Sequence, residues 1–171
     1  MSSSQPTQRT QIEQLYRTYG HVVSGRCAYL LGDQAEAQDA TQEVFIKVMK
    51  AYAGFRLEAS PSTWLLKIAT NHCLNLLAAR RAPWHAKYRK HAAYVEAQRL
   101  DEKTAPERTA IVRTILGKVD TETQQIAVHY YVDEMTQAEI AMLLKRSLPT
   151  IRKRLAKFKR VADRELGHDT Q

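Results

Sequence analysis

The chain has 171 residues, 44% of them hydrophobic, enough for a packed core and against a disordered chain. Lysine and arginine number 26 against 18 aspartates and glutamates, a net +8 that favours an acidic partner, nucleic acid first among them. Only two cysteines, Cys27 and Cys73, and no apolar run of bilayer length argue against a disulfide scaffold, a zinc ribbon and an integral membrane protein.

Residues 1–8 read as a disordered tail, and the polar stretch Met1–Thr10 lacks the apolar segment of a signal peptide, so a soluble, cytoplasmic protein is expected. From about Arg9 apolar residues recur at Ile12, Leu15, Tyr16, Tyr19, Val22 and Val23, a helical period that runs to Leu31 and stops at Gly32. Asp33 and Glu36 have capping-box spacing for a second helix. Its core stripe is Ala37, Ala40, Thr41, Val44, Phe45, Val48, Met49 and Tyr52, and Gly54 ends it. The opposite face carries Asp39, Gln42, Glu43 and Ile46, either a solvated face with one exposed apolar residue or a docking patch.

Phe55 and Arg56 lead into a loop, Ser60 is placed to cap a third helix, and Pro61 fits its first position. Trp64, Lys67, Asn71 and Asn75 recur at spacings of three and four and share one stripe, and the helix finishes at the basic Arg80-Arg81. Asparagine is a poor interior helix residue. Two on one stripe with a ring and a cation make either a solvated face or a reader of nucleic-acid bases, since an amide offers donors and acceptors to a base edge. Residues 82–106, bracketed by Pro83 and Pro106, show no core face and read as a flexible linker.

Beyond the linker, Ile111, Ile115 and Leu116 mark a helix ended by Gly117, and Thr121 with Gln124 are placed to cap the next. Thr136-Gln137-Ala138-Glu139 has the form of a capping box. After the turn Lys145-Arg146, Ser147 caps a last helix whose core face is Leu148, Ile151, Leu155, Phe158 and Ala162. The outer face carries Thr150, Arg152, Lys153, Arg154, Lys157 and Arg160. Two short helices joined by a tight turn, the second basic outside, form a helix-turn-helix suited to duplex DNA.

The run Asp39-Ala40-Thr41-Gln42-Glu43-Val44-Phe45, then Phe55-Arg56, Thr63-Trp64-Leu65 and Ile68-Ala69 with Asn71, resembles region 2 of bacterial RNA polymerase sigma factors, in particular the extracytoplasmic-function (ECF) group. Met135-Thr136-Gln137-Ala138-Glu139-Ile140-Ala141 and Thr150-Ile151-Arg152-Lys153-Arg154-Leu155 resemble region 4 of the same family. The resemblance implies an all-α chain of two small helical domains, region 2 over 9–81 and region 4 over 107–167, joined by the linker.

It also implies roles. Asp39, Gln42, Glu43 and Ile46 match the surface that docks on the β′ clamp helices of core polymerase. Asn71 matches the reader of a base flipped from the −10 element, walled by Phe55 and the loop from Arg56 to Ser60. Trp64, Lys67, Asn75, Arg80 and Arg81 line the path of the separated strand or the upstream duplex. Arg146, Thr150, Arg152, Lys153, Arg154 and Lys157 match the −35 side. The expected partners are core polymerase (β′ clamp helices and β flap), promoter DNA and an anti-sigma factor, with no cofactor, metal or catalytic residue.

The chain departs from the family pattern at Leu57, where glycine is usual, at Pro61, where a large residue is common, and at Lys145-Arg146, which replaces a glycine-containing turn. The competing expectations are a helix-turn-helix regulator that binds DNA alone and an all-helical adaptor with an incidental basic face.

Overall fold

The computed structural model describes residues 8–55, 59–81 and 107–167, so the expected tail (bar Gln8), the linker 82–106, Arg56 and Leu57 lie outside the described residues. The described chain is all-α, as expected, with no strand. The helices are α1 (Gln8–Leu31), α2 (Gln34–Ala51), α3 (Pro61–Arg81), α4 (Glu107–Leu116), α5 (Thr121–Tyr131), α6 (Gln137–Leu144) and α7 (Leu148–Glu165), with a 3-10 turn at Tyr52–Gly54. They fall into two compact units, Met1–Cys73 and Leu74–Gln171, a division that lies within α3.

In the first unit the helix stops follow from local chemistry. Gly32 takes a left-handed φ of 81°, and Asp33 caps α2 by accepting the Glu36 N–H at 2.8 Å. Ser60 Oγ accepts the Thr63 N–H at 3.2 Å, so the expected cap and the Pro61 start of α3 both hold. Fully buried Val23, Cys27 and Leu30 of α1, Val44 and Val48 of α2, and Leu65 and Ala69 of α3 form the core, each large aliphatic contributing about 1.5–3 kcal/mol by burial. Polar ties cross it. Arg26, buried in α1, donates to Thr70 Oγ1 of α3 at 2.7 Å. Cys27 and Cys73 are free, buried and hydrogen-bonded to each other, and that contact leads in holding the Cys27 thiol down at about 7, against the upward push of burial.

Two expectations fail here. Met49 is 52% exposed and lies outside the core, because α2 turns it toward Tyr16 and Ile12 in a shallow apolar groove against α1. Gly54 closes the 3-10 turn and not α2 itself, which ends at Ala51.

In the second unit Ile126 of α5, Ile140 of α6, and Ile151 and Leu155 of α7 form one cluster, flanked by Tyr130, Met135, Ala141 and Leu144. The cap of α5 is Asp120, which accepts the Thr123 N–H at 3.0 Å. Thr121 is the first helical residue, and Gln124, expected to cap, instead donates from inside the core to the Leu116 carbonyl at 2.6 Å. The Thr136–Glu139 capping box is complete. Lys145 closes α6 at φ 53°, a left-handed position held by a side-chain-bearing residue. Ser147 caps α7 as expected. Of the expected α7 core face, Ile151 and Leu155 are buried, whereas Leu148, Phe158 and Ala162 are half-buried.

Candidate nucleic-acid and partner interfaces

Burial of Ala37, Ala40, Thr41, Val44, Phe45 and Val48 fixes the rotation of α2 and turns Asp39, Gln42, Glu43 and Ile46 outward together. Ile46, at 49% exposure, adjoins exposed Met49, so acidic and apolar groups share this face. Behind it stands His72 of α3, buried, with Nδ1 2.8 Å from Lys47 Nζ and Nε2 3.2 Å from Glu43 Oε2. The ammonium can only donate, so Nδ1 accepts and the proton sits on Nε2, facing the carboxylate. The Nε2 contact is close but lies off the hydrogen-bond direction, so its pull is electrostatic. Burial and the Lys47 charge push the imidazole pKa below its ordinary value, and Glu43 only partly opposes them. The neutral form is therefore the one packed here.

On α3, Asn71 and Asn75 are exposed, while Trp64 and Lys67 are half-buried. The expected stripe is thus graded. Trp64 stacks on Phe55 with ring centroids 4.4 Å apart and planes at 24°, and the Tyr52 ring stands edge-on to Trp64 at 6.4 Å. This aromatic floor links Phe55, just after the 3-10 turn, to the first turn of α3, with Asn71 two turns further along the helix. Arg80 is half-buried. Arg81 ends α3, and its side chain, like the whole of Arg56, is outside what is described.

On α7 and the turn before it the six expected residues separate into two groups. Thr150, Arg152 and Lys153 follow the Ser147 cap, with Arg152 at the rim of a shallow hollow beside Gln137, whose Oε1 its Nε meets at 3.4 Å. Arg146, Arg154 and Lys157 instead hold two carboxylates at the start of α5. Arg154 bridges Asp120 Oδ2 at 3.0 Å and Glu122 Oε2 at 2.6 Å, Lys157 Nζ meets Asp120 Oδ2 at 2.6 Å, and Arg146 Nε meets Glu122 Oε1 at 2.6 Å. Burial raises the Asp120 carboxyl, but the bonds from Lys157 and Thr123 and the Arg154 charge outweigh it and hold it at about 2. The Arg146 bond is foremost in lowering Glu122. Both shifts favour the charged carboxylates.

Sequence reasoning missed His72 and missed the Asp120–Glu122 pair. Glu43 and His72 are 29 positions apart, and Asp120 and Arg154 are 34 apart, so no local spacing announces either contact. Among the described residues no three His, Cys, Asp or Glu side chains are grouped to hold a metal, and no helix is long and apolar enough to cross a membrane.

The Sigma-70 region 2 family model matches residues 15–82, the stretch that carries α2, the aromatic floor and the asparagine stripe. The ECF RNA polymerase sigma factor SigM of Mycobacterium tuberculosis is 30% identical over 162 residues, covering 94% of this chain and 79% of that protein. The fold is similar to that of CnrH in complex with the cytosolic domain of CnrY, with a TM-score of 0.61 at 24% identity, over 96% of this chain and 92% of that one. It is also similar to the sigma factor RpoE bound to the anti-sigma factor NepR from Bartonella quintana, with a TM-score of 0.57 at 12% identity, over 94% of this chain and 99% of that one.

Proposed function

The chain belongs to the ECF RNA polymerase sigma factors, and from that membership we propose how its parts share the work of starting transcription. As a sigma factor it binds core RNA polymerase and directs it to promoters. In our reading residues 9–81 act as region 2, residues 82–106 as the linker and residues 107–167 as region 4. The Asp39, Gln42, Glu43 and Ile46 face of α2 meets the β′ clamp helices, where acidic and apolar groups together suit a basic, partly apolar partner surface. Region 4 meets the β flap and lays α7 in the −35 major groove, with Thr150, Arg152 and Lys153 toward the DNA.

The observation that carries the −10 assignment is the exposed Asn71 on the helix that starts at the Phe55–Trp64 stack, two turns beyond it. Flipping a base out of the duplex costs a few kcal/mol, and stacking on a ring returns about 1–3 kcal/mol per base. An aromatic floor and an exposed amide further along the same helix supply stacking and edge recognition, which positive charge alone does not. Lys67 and Asn75 continue that side of α3, Arg80 and Arg81 stand at the end of the helix, and all four suit the sugar-phosphate backbone.

The polymerase performs the chemistry, so this chain contributes binding and no catalytic group, and it works in the cytoplasm beside the polymerase. The RpoE–NepR complex supports an anti-sigma partner for this chain as well. Footprinting on a cognate promoter tests the proposal. Protection of both elements only when core polymerase is present is expected, and equal protection by the chain alone would make it a stand-alone regulator.

A further inference from the structure

The cations of α7 are not equally available to DNA. Arg154 is 31% exposed and spends both Nη atoms on Asp120 and Glu122, and its Nη1 also approaches Thr123 Oγ1 at 3.4 Å. Lys157 and Arg146 complete the cluster on the same two carboxylates. Single exposed ion pairs contribute little, but a fork-shaped guanidinium bridging the exposed helix cap Asp120 and the half-buried Glu122, each shared with a second cation, is a network. Each oxygen of Glu122 has its own arginine, and one Asp120 oxygen is shared by Arg154 and Lys157.

We propose that Asp120 and Glu122 form a clasp that withholds Arg146, Arg154 and Lys157 from DNA phosphates, so that α7 meets duplex DNA with Thr150, Arg152 and Lys153 and with weakened sequence-independent attraction. The inference rests on the reading of α7 as the duplex-facing helix. Phosphate neutralisation supplies nearly all non-specific affinity, whereas base-edge contacts specify sequence. Removing three cations from the first while leaving the second intact raises the ratio of specific to non-specific binding. Asp120 and Glu122 are thus specificity-determining residues, and Arg154 is a positioning residue that fixes α7 against the start of α5.

The test is the salt dependence of binding of the full chain to a fluorescent mixed-sequence duplex. The double variant Asp120→Ser/Glu122→Gln removes both charges and keeps a capping oxygen at 120. Its plot of log affinity against log salt is expected to steepen by about 0.9 for each cation released. Arg154→Gln alone should leave the wild-type slope unchanged. An unchanged slope in the double variant, or a slope shallower by about 0.9 in Arg154→Gln, overturns the clasp. If the double variant fails to fold by circular dichroism, the Arg154→Gln slope still decides. A wild-type chain whose duplex binding shows no salt dependence overturns the duplex-facing reading itself, and the clasp with it.

Discussion

Glu43, on the outward face of α2, stands 3.2 Å from the buried imidazole of His72 on α3. The residue proposed to meet the polymerase is therefore backed by a buried ring that Lys47 holds in one tautomer. This ring gives the first unit a pH dependence of fixed sign. In the fold its pKa lies below the ordinary value of about 6.5, so on acidification the unfolded chain takes up the proton first. The stabilising contribution is complete above about pH 6.5 and declines as pH falls through that value toward the lowered folded pKa. The melting temperature should drop between about pH 7.5 and 5.5, and His72→Gln should flatten that drop. An equally steep profile in His72→Gln would contradict the assignment.

Glu43→Lys reverses the charge on the proposed docking face and sets a second ammonium near Lys47. Affinity for core polymerase should fall about tenfold, near 1.4 kcal/mol, measured by fluorescence anisotropy of the labelled chain. A melting curve separates this effect from loss of fold. Unchanged affinity would remove α2 as the docking surface.

Asn71 is exposed and has no part in the core, so Asn71→Ala should leave folding and polymerase affinity intact. Transcription from the cognate promoter should fall by the worth of a base contact, about 1–3 kcal/mol. A loss of polymerase binding instead would show that its side chain serves docking rather than base reading.

Lys145 occupies a left-handed turn between α6 and α7 where most helix ends use glycine. The strain costs roughly 1–2 kcal/mol, while glycine returns about 0.4–1 kcal/mol through a more disordered unfolded chain. Lys145→Gly should therefore raise stability by up to about 1 kcal/mol, read from denaturant midpoints. A destabilised variant would mean that the lysine side chain stabilises the turn in a way that offsets its backbone.

Helix identity was legible because its signals are local. The caps at Asp33, Ser60, Thr136 and Ser147 and the stops at Gly32 and Gly117 each depend on a few neighbouring residues. Face assignment was legible for α2 except at Met49, where periodicity marks the edge of the buried arc but not which side of it packs. Asp120 escaped notice as a cap because Thr121, itself a good capping type, stands next to it. In the candidate site, the outward rotation of Asp39, Glu43, Asn71 and Asn75 followed from their periods. The state of Arg146, Arg154 and Lys157 did not, because an ion pair depends on where a distant helix start lies in space, and a basic outer face looks the same in sequence whether its charges are paired or bare.

The central claim is that this chain equips core polymerase to find and open a promoter. Run-off transcription with purified bacterial core enzyme on a promoter library measures it most directly. Defined transcripts that appear only when the chain is added, and that weaken with Asn71→Ala, are the result the account predicts. Absence of any chain-dependent transcript across the library, with the chain folded and the core enzyme active with another sigma factor, would contradict it.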